Sequence, residues 1–239
     1  EHMRAFCTGA PTTARDDLLG VATAPVDRLW YETIEKTEFS AGGLFVVTVP
    51  REACFDKVSI REGWDRKDFY LLFDGISGGH HAYQDGNCIV RFCEGGVSWL
   101  GTGRGGSVRG QNGVFVALDG SGAGAVHRYA RRLYAGADGD ILAVAAALEG
   151  VGDFDWERHI VRKRGRWTLV VDRVVVKKTG EALAERHWYP RGTITQTADG
   201  VVCAQEGNGK IRCLHMQSAG LPLEGIRCGE GHVVETARL

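Results

Sequence analysis

The sequence predicts an all-β chain, a large antiparallel β-sandwich behind a short irregular or helical N-terminal segment. Three observations carry that expectation. The 239 residues include 34 glycines and only 5 prolines, about twice the usual glycine share of roughly 7%, which favours many tight turns over long helices. Beyond Phe39 the text breaks into short alternating or wholly apolar runs punctuated by glycine, the rhythm of successive antiparallel strands. One hairpin is explicit, with Arg158 to Lys163 running into Trp167 to Asp172 through Arg164-Gly165-Arg166.

Taken in order, residues 1–38 read as a lead-in segment or linker, with Glu1-His2-Met3 a cloning remnant and 39–239 the β-domain. Asp16-Asp17-Leu18-Leu19 and Val26 to Tyr31 support at most short helical turns there. Strands are expected at Leu44 to Val49, Val58 to Arg61, Phe69 to Phe73, Cys88 to Cys93, Gly96 to Leu100, Val114 to Leu118 and Arg128 to Ala135. More are expected at Ile141 to Leu148, Trp156 to Arg164, Trp167 to Val176, Glu185 to Tyr189, Val201 to Gln205 and Lys210 to Met216. Only Asp140 to Leu148 competes as a helix, and its flanking glycines and short length favour strand. No internal repeat is visible.

Charge narrows the partners. Lysine plus arginine (29) nearly cancels aspartate plus glutamate (30), leaving a net charge of −1, so no global field draws nucleic acid or anionic lipid and neither is an expected partner. No apolar run approaches the roughly 18 to 20 residues of a membrane-spanning helix. The seven cysteines are odd in number and lack CxxC spacing, which suits reduced thiols packed as small hydrophobes. Cys228 and His232 have a spacing seen in zinc sites, but without a second half that pair is weak. Gly101-x-Gly103-x-x-Gly106 spells a dinucleotide fingerprint, yet loop and strand follow it where a helix is needed. The basic cluster Arg158, Arg162, Lys163, Arg164 and Arg166 reads as a solvated hairpin tip, the sharper alternative being a contact for acidic polysaccharide.

The most informative stretch is Gly78 to Asn87, where His80, His81, Tyr83 and Asp85 gather in a polar loop before an apolar strand. Histidine transfers protons near neutral pH, so the loop is either a candidate catalytic site or a hydrogen-bonded turn.

The order of features from Phe39 to Met216 resembles the C-terminal β-sandwich region of the heparinase II/III-like polysaccharide lyases, over roughly three quarters of the chain. Gly43 to Val47 is similar to that family's opening strand, Asp68 to Phe73 to its second, and His81 to Asn87 to its H-x-H-x-D loop. Gly95 to Gly103 resembles the strand that usually ends in Asp-Pro-Gly, and Arg109 to Val114 the stretch usually reading His-Asn. Asp155 to Val161, Val171 to Val174 and Arg186 to Gly192 continue the likeness.

The resemblance implies a supersandwich-like domain, uronic-acid polysaccharide as substrate and β-elimination as the reaction. That chemistry needs a neutraliser for the uronate carboxylate, a base for the C5 proton and an acid for the leaving oxygen. It implies His81 as the catalytic histidine, with Tyr83 or Tyr189 as acid, and His80, Asp85, Arg104, Arg109, Gln111 and Asn112 as substrate contacts. Tyr189, in His187-Trp188-Tyr189 where the family usually has His-Trp-His, is equally a packed aromatic, the reading favoured here. Three positions that hold a metal in some members read Tyr83, Leu100 or Gly101, and Gln111, so no metal or other cofactor is expected, and Tyr83, Asp85 and Gln111 would instead hold the loop by hydrogen bonds. Family enzymes also carry an α/α-toroid domain that supplies most of the groove, and its absence from this sequence makes a scaffold role the leading expectation. An active lyase and an interaction module that self-associates are the alternatives.

Overall fold

The structure is a computed structural model that describes residues 18–29, 31, 49–77, 84–103, 107–122, 129–151, 153–207, 209–219, 225–229 and 231–238. In chain order its strands are β1 Gly20–Ala24, β2 Lys57–Arg61, β3 Tyr70–Asp74, β4 Ile89–Glu94, β5 Val97–Leu100, β6 Val114–Leu118, β7 Ser121–Gly122, β8 Arg131–Asp138 and β9 Ile141–Val151. They continue as β10 Phe154–Lys163, β11 Trp167–Val176, β12 Ala182–Trp188, β13 Thr193–Thr197, β14 Gly200–Gly207, β15 Lys210–Gln217, β16 Gly225–Gly229 and β17 His232–Arg238. Hydrogen bonding divides them among four antiparallel sheets in a propeller-like ring, ordered β1-β2-β3-β4-β5, β11-β10-β9-β8, β16-β17-β12-β6-β7 and β13-β14-β15.

The all-β expectation holds, and Asp140 to Leu148 is strand. The irregular or helical lead-in meets a difference. Gly20–Ala24 pairs along its whole length with β2, and among the described residues of the lead-in helical character is limited to one turn closed by the Tyr31 N–H on the Asp27 carbonyl. β7, β13, β16 and β17 were likewise not anticipated, since their runs are short or polar. The strand expected at Leu44 to Val49 lies outside the described residues except for Val49, which is buried. Among the described residues no helix is long and apolar enough to cross a membrane.

One core serves all four sheets. It joins Val58, Leu71 and Phe92 of the first, Leu142, Trp156 and Ile160 of the second, Val116, Trp188 and Val233 of the third, and Val201 and Cys203 of the fourth. A satellite cluster of Val26, Tyr31, Val49, Cys54 and Tyr129 sits beside it. The described cysteines are free thiols as expected, and Cys7 lies outside the described residues.

The β10–β11 hairpin forms as read, with Lys163 opposite Trp167 and Gly165 at φ +61, a left-handed value that only glycine adopts without cost. Two of its arginines correct the solvated-tip reading, while Arg166 at the turn itself is exposed. Alternate residues Phe154, Trp156, Arg158, Ile160 and Arg162 all face inward, and Arg158 and Arg162 are 0% and 1% exposed. Each is tolerated because carboxylates meet it. Arg158 Nε lies 2.7 Å from Asp172 Oδ1, while Arg162 reaches Glu62 and Glu94 at 2.6 Å each. A buried guanidinium persists only when its charge is paired and its N–H groups are bonded.

Candidate functional site

Of the loop residues singled out in the sequence, His80, His81 and Tyr83 lie outside the described residues, as does Arg104. The base on which that loop stands is described. Gly86 N–H donates to Ser77 Oγ at 2.8 Å, and Asn87 takes φ 64 with its N–H on the Asp74 carbonyl at 2.8 Å. Asp85 and Asp74 form a coupled carboxyl pair. Burial first, with the nearby Asp85 charge adding, raises Asp74 to about 7, and burial also raises Asp85.

Lys57 Nζ sits 2.9 Å from Asp74 Oδ1 and 2.9 Å from Asp56 Oδ1, and its own value is raised although burial opposes that. The two directions reconcile if one proton is shared between the buried carboxyls while the ammonium balances the remaining charge. Asp74 can hold or release a proton near neutral pH.

A second group is assembled on one face of the sheet containing β12. Glu185, His187 and Tyr189 alternate along and just beyond that strand, and the antiparallel register sets His187 opposite Val234 and Val234 opposite Arg227. The Tyr189 ring stacks on His232, with centroids 4.4 Å apart and planes at 5°. Its hydroxyl donates to the Arg109 carbonyl, and burial raises its value. A Cβ on Gly103 would stand 2.4 Å from that ring, so glycine there lets the backbone close over the tyrosine. Tyr189 thus lies against His232 and the Gly103 backbone.

His187 Nδ1 and His232 Nε2 are 3.0 Å apart, with ring planes at 15° and centroids 5.3 Å apart. That geometry is an in-plane N–H···N hydrogen bond rather than a face-to-face stack. His187 Nε2 lies 3.4 Å from Glu185 Oε2 but makes no directed hydrogen bond. Burial, opposed by Glu185, lowers His187 to about 4. Burial and then Arg227 lower His232, so both imidazoles are neutral at pH 7.

The remaining candidates divide. Arg109 sits in the middle of the short 3-10 turn at Val108–Gly110 and is exposed, with Nε 3.0 Å from Glu185 Oε2. Gln111 is 1% exposed, and its Nε2 finds no hydrogen-bond partner among the described residues; the loop it was expected to hold lies outside them from 78 to 83. Asn112 is fully buried and completely used. Nδ2 donates to the Ile89 and Gly101 carbonyls at 2.8 and 2.6 Å, and Oδ1 accepts the Tyr189 N–H at 2.8 Å. Its own carbonyl accepts from Arg158. It braces the site from within.

Sequence reasoning did not single out Asp74, Lys57, Glu185 or Arg227 as functional residues, and it considered His232 only as half of a weak zinc spacing with Cys228. The period-two spacing of Glu185, His187 and Tyr189 was a visible signal. The convergence of β16 and β17 on them was not. Among the described residues no three His, Cys, Asp or Glu side chains are grouped to hold a metal ion. A cavity of about 590 Å³ beside β1 is lined by none of these residues.

No family model and no curated protein matches the sequence. Solved structures do match the fold. Heparan sulfate lyase HepC from Pedobacter heparinus aligns at TM-score 0.53 and 14% identity, over 88% of this chain and 36% of that one. A structure of heparinase III aligns at TM-score 0.52 and 8% identity, over 77% of this chain and 33% of that one. The chain thus spans about a third of the length of these structures and shares the fold of that part. At such identity the likeness is one of fold.

Proposed function

We propose that the chain is the β-sandwich domain of a heparinase II/III-like polysaccharide lyase, a scaffold and one wall of an acidic-polysaccharide cleft that is not catalytic alone. The observation that carries the reading is the fold likeness to about a third of a heparan sulfate lyase and of a heparinase III. The wall would present Arg104, Arg109 and the loop bearing His80, His81, Tyr83 and Asp85 to the glycan. An α/α-toroid domain would supply the opposite wall. Tyr189, whose hydroxyl is engaged by the Arg109 carbonyl, would support this wall rather than protonate a leaving oxygen.

Calorimetric titration of the chain with heparan sulfate, chondroitin sulfate and alginate at low and high salt tests this, with ultraviolet absorbance of unsaturated uronate ends followed on the same samples. Salt-sensitive binding without growing absorbance is expected. Absorbance that grows and is lost in His81→Ala would establish instead a self-sufficient lyase with His81 as base and Tyr83 or Tyr189 as acid. Absence of binding to all three glycans would overturn both.

A second reading, a self-associating module, is favoured by one observation. Tyr134, Trp167, Leu169 and Val171 are each 42–49% exposed. All four lie on the outer face of the β11-β10-β9-β8 sheet, where Val171, His159, Ala145 and Tyr134 are cross-strand neighbours in a row. Exposed apolar side chains gathered on one sheet face, with Trp167, Leu169 and Val171 at alternate positions of β11, favour an interaction surface.

A further inference from the structure

We propose that Arg109, Arg227 and His232 form a subsite that binds one anionic group of an acidic sugar, a carboxylate or a sulfate, and that Glu185 and His187 hold the subsite in shape from beneath. The sugar as ligand rests on the acidic-polysaccharide reading above, whereas the anion preference follows from the residues themselves.

Three separate elements bring the donors together over one sheet face. Arg109 comes from the 3-10 turn at Val108–Gly110, Arg227 from β16 and His232 from the start of β17, with β12 running underneath. Arg109 is fixed twice. Its guanidinium carbon lies 3.8 Å from the Phe115 ring centroid, and its Nε is 3.0 Å from Glu185 Oε2. Those contacts leave its two terminal nitrogens without a partner among the described residues, on a side chain 55% exposed. Arg227 Nη2 lies 3.5 Å from Glu185 Oε1, and that side chain is 74% exposed. Glu185 is itself only 11% exposed. One sunken carboxylate thus positions two guanidiniums and leaves their outer edges to solvent.

The charge count favours an incoming anion. Two guanidiniums and one carboxylate, with both imidazoles neutral, leave a local excess of one positive charge. Guanidinium forks match the planar geometry of carboxylate and the oxygen spacing of sulfate. His232 is held as a third donor by its stack on Tyr189 and its bond to His187, which consume one ring face and Nε2. Its Nδ1 has no protein partner among the described residues. An anion seated between the arginines would favour the protonated form of His232 and so raise its value. The groups facing that imidazole are Arg227, His187, Tyr189 and Glu185. Of these only Glu185 carries the sign that competes with the ligand.

The test follows the imidazole resonances of the full chain by nitrogen–proton NMR while sodium glucuronate is added, and separately while methyl sulfate is added. The proposal expects saturable shifts at His232 in at least one series, with a rise in its titration midpoint at saturation. The series that shifts identifies carboxylate or sulfate. In an Arg109→Gln/Arg227→Gln variant, both exposed positions, the shifts disappear and affinity for heparan sulfate or alginate falls about 10-fold. Unmoved His232 resonances in both series, or shifts that persist in the double variant, would overturn the subsite. Polysaccharide binding unaltered by the double variant would sink the subsite and leave the cleft-wall reading standing. Glucuronate shifts without binding of any polysaccharide would do the reverse.

Discussion

Replacing Asn112 by alanine tests how the site is braced. The side chain is fully buried and makes three hydrogen bonds to backbone groups, two from Nδ2 to the carbonyls of Ile89 and Gly101 and one from the Tyr189 N–H to Oδ1. Those groups belong to β4, to the segment just after β5, and to the residue just after β12. Truncation orphans all three where water has no ready access. Each unsatisfied buried group costs about 1–3 kcal/mol, and because the three are coupled the expected loss is roughly 3–6 kcal/mol. Against a domain stability of about 5–15 kcal/mol that is a large fraction. Asn112→Asp is the sharper control, because it is nearly isosteric and retains the acceptor but turns a second oxygen toward two carbonyls, so it should cost at least as much. The assay is urea unfolding at neutral pH followed by tryptophan fluorescence, with near-ultraviolet circular dichroism reporting on the Tyr189–His232 stack. A loss below about 1 kcal/mol for the alanine variant would mean that Asn112 does not tie the three segments together.

Three further outcomes are expected. Arg158→Met leaves Asp172 buried beside Trp156 Nε1 and Arg186 and should cost about 3–5 kcal/mol in the same unfolding assay. The Arg158→Met/Asp172→Leu double variant should recover part of that loss, and full additivity would refute the pairing. Asp74, raised from 3.8 to about 7, binds more protons folded than unfolded, so its contribution falls as pH rises through that window, by up to about 1.4 kcal/mol per unit. His187, lowered from 6.5 to about 4, slopes the opposite way, so the difference between wild type and Asp74→Asn isolates the aspartate, and parallel stability curves across the window would refute the shared proton. If the outer face of the β8–β11 sheet self-associates, sedimentation will show mass rising with concentration and Leu169→Lys, at an exposed position, will abolish the rise. A concentration-independent monomer counts against that face.

Much of the secondary structure was legible because strand signals are local. Val114–Leu118 and Trp167–Val176 fall where alternation put them, and the Arg164–Arg166 turn closes on the one glycine it needs. Gly20–Ala24 was missed because GVATA carries no strong period, and it becomes a strand through its pairing with β2. The arginines of β10 were misread for a related reason. Alternation correctly grouped Arg158 and Arg162 on one face, but which face was buried depended on Asp172, Glu62 and Glu94, which lie 14, 100 and 68 residues away.

The candidate site shows the same division. Arg109, Gln111, Asn112 and Tyr189 could be singled out only through the family resemblance, and Tyr189 bonds both Asn112 and Arg109. What each does could not be read, because a polar side chain is a ligand contact or an internal brace according to whether solvent or backbone faces it. Asn112 is 0% exposed while Arg109 keeps a 55% exposed side chain three residues away. By itself the sequence determined an all-β chain of short glycine-bounded strands, because backbone propensity and period two act over a few residues. Only the tertiary structure decided that Glu185 and His187 meet Arg227 and His232, and that burial raises Asp74 and Asp85. Burial and charge pairing are set by strands adjacent in space and distant in sequence.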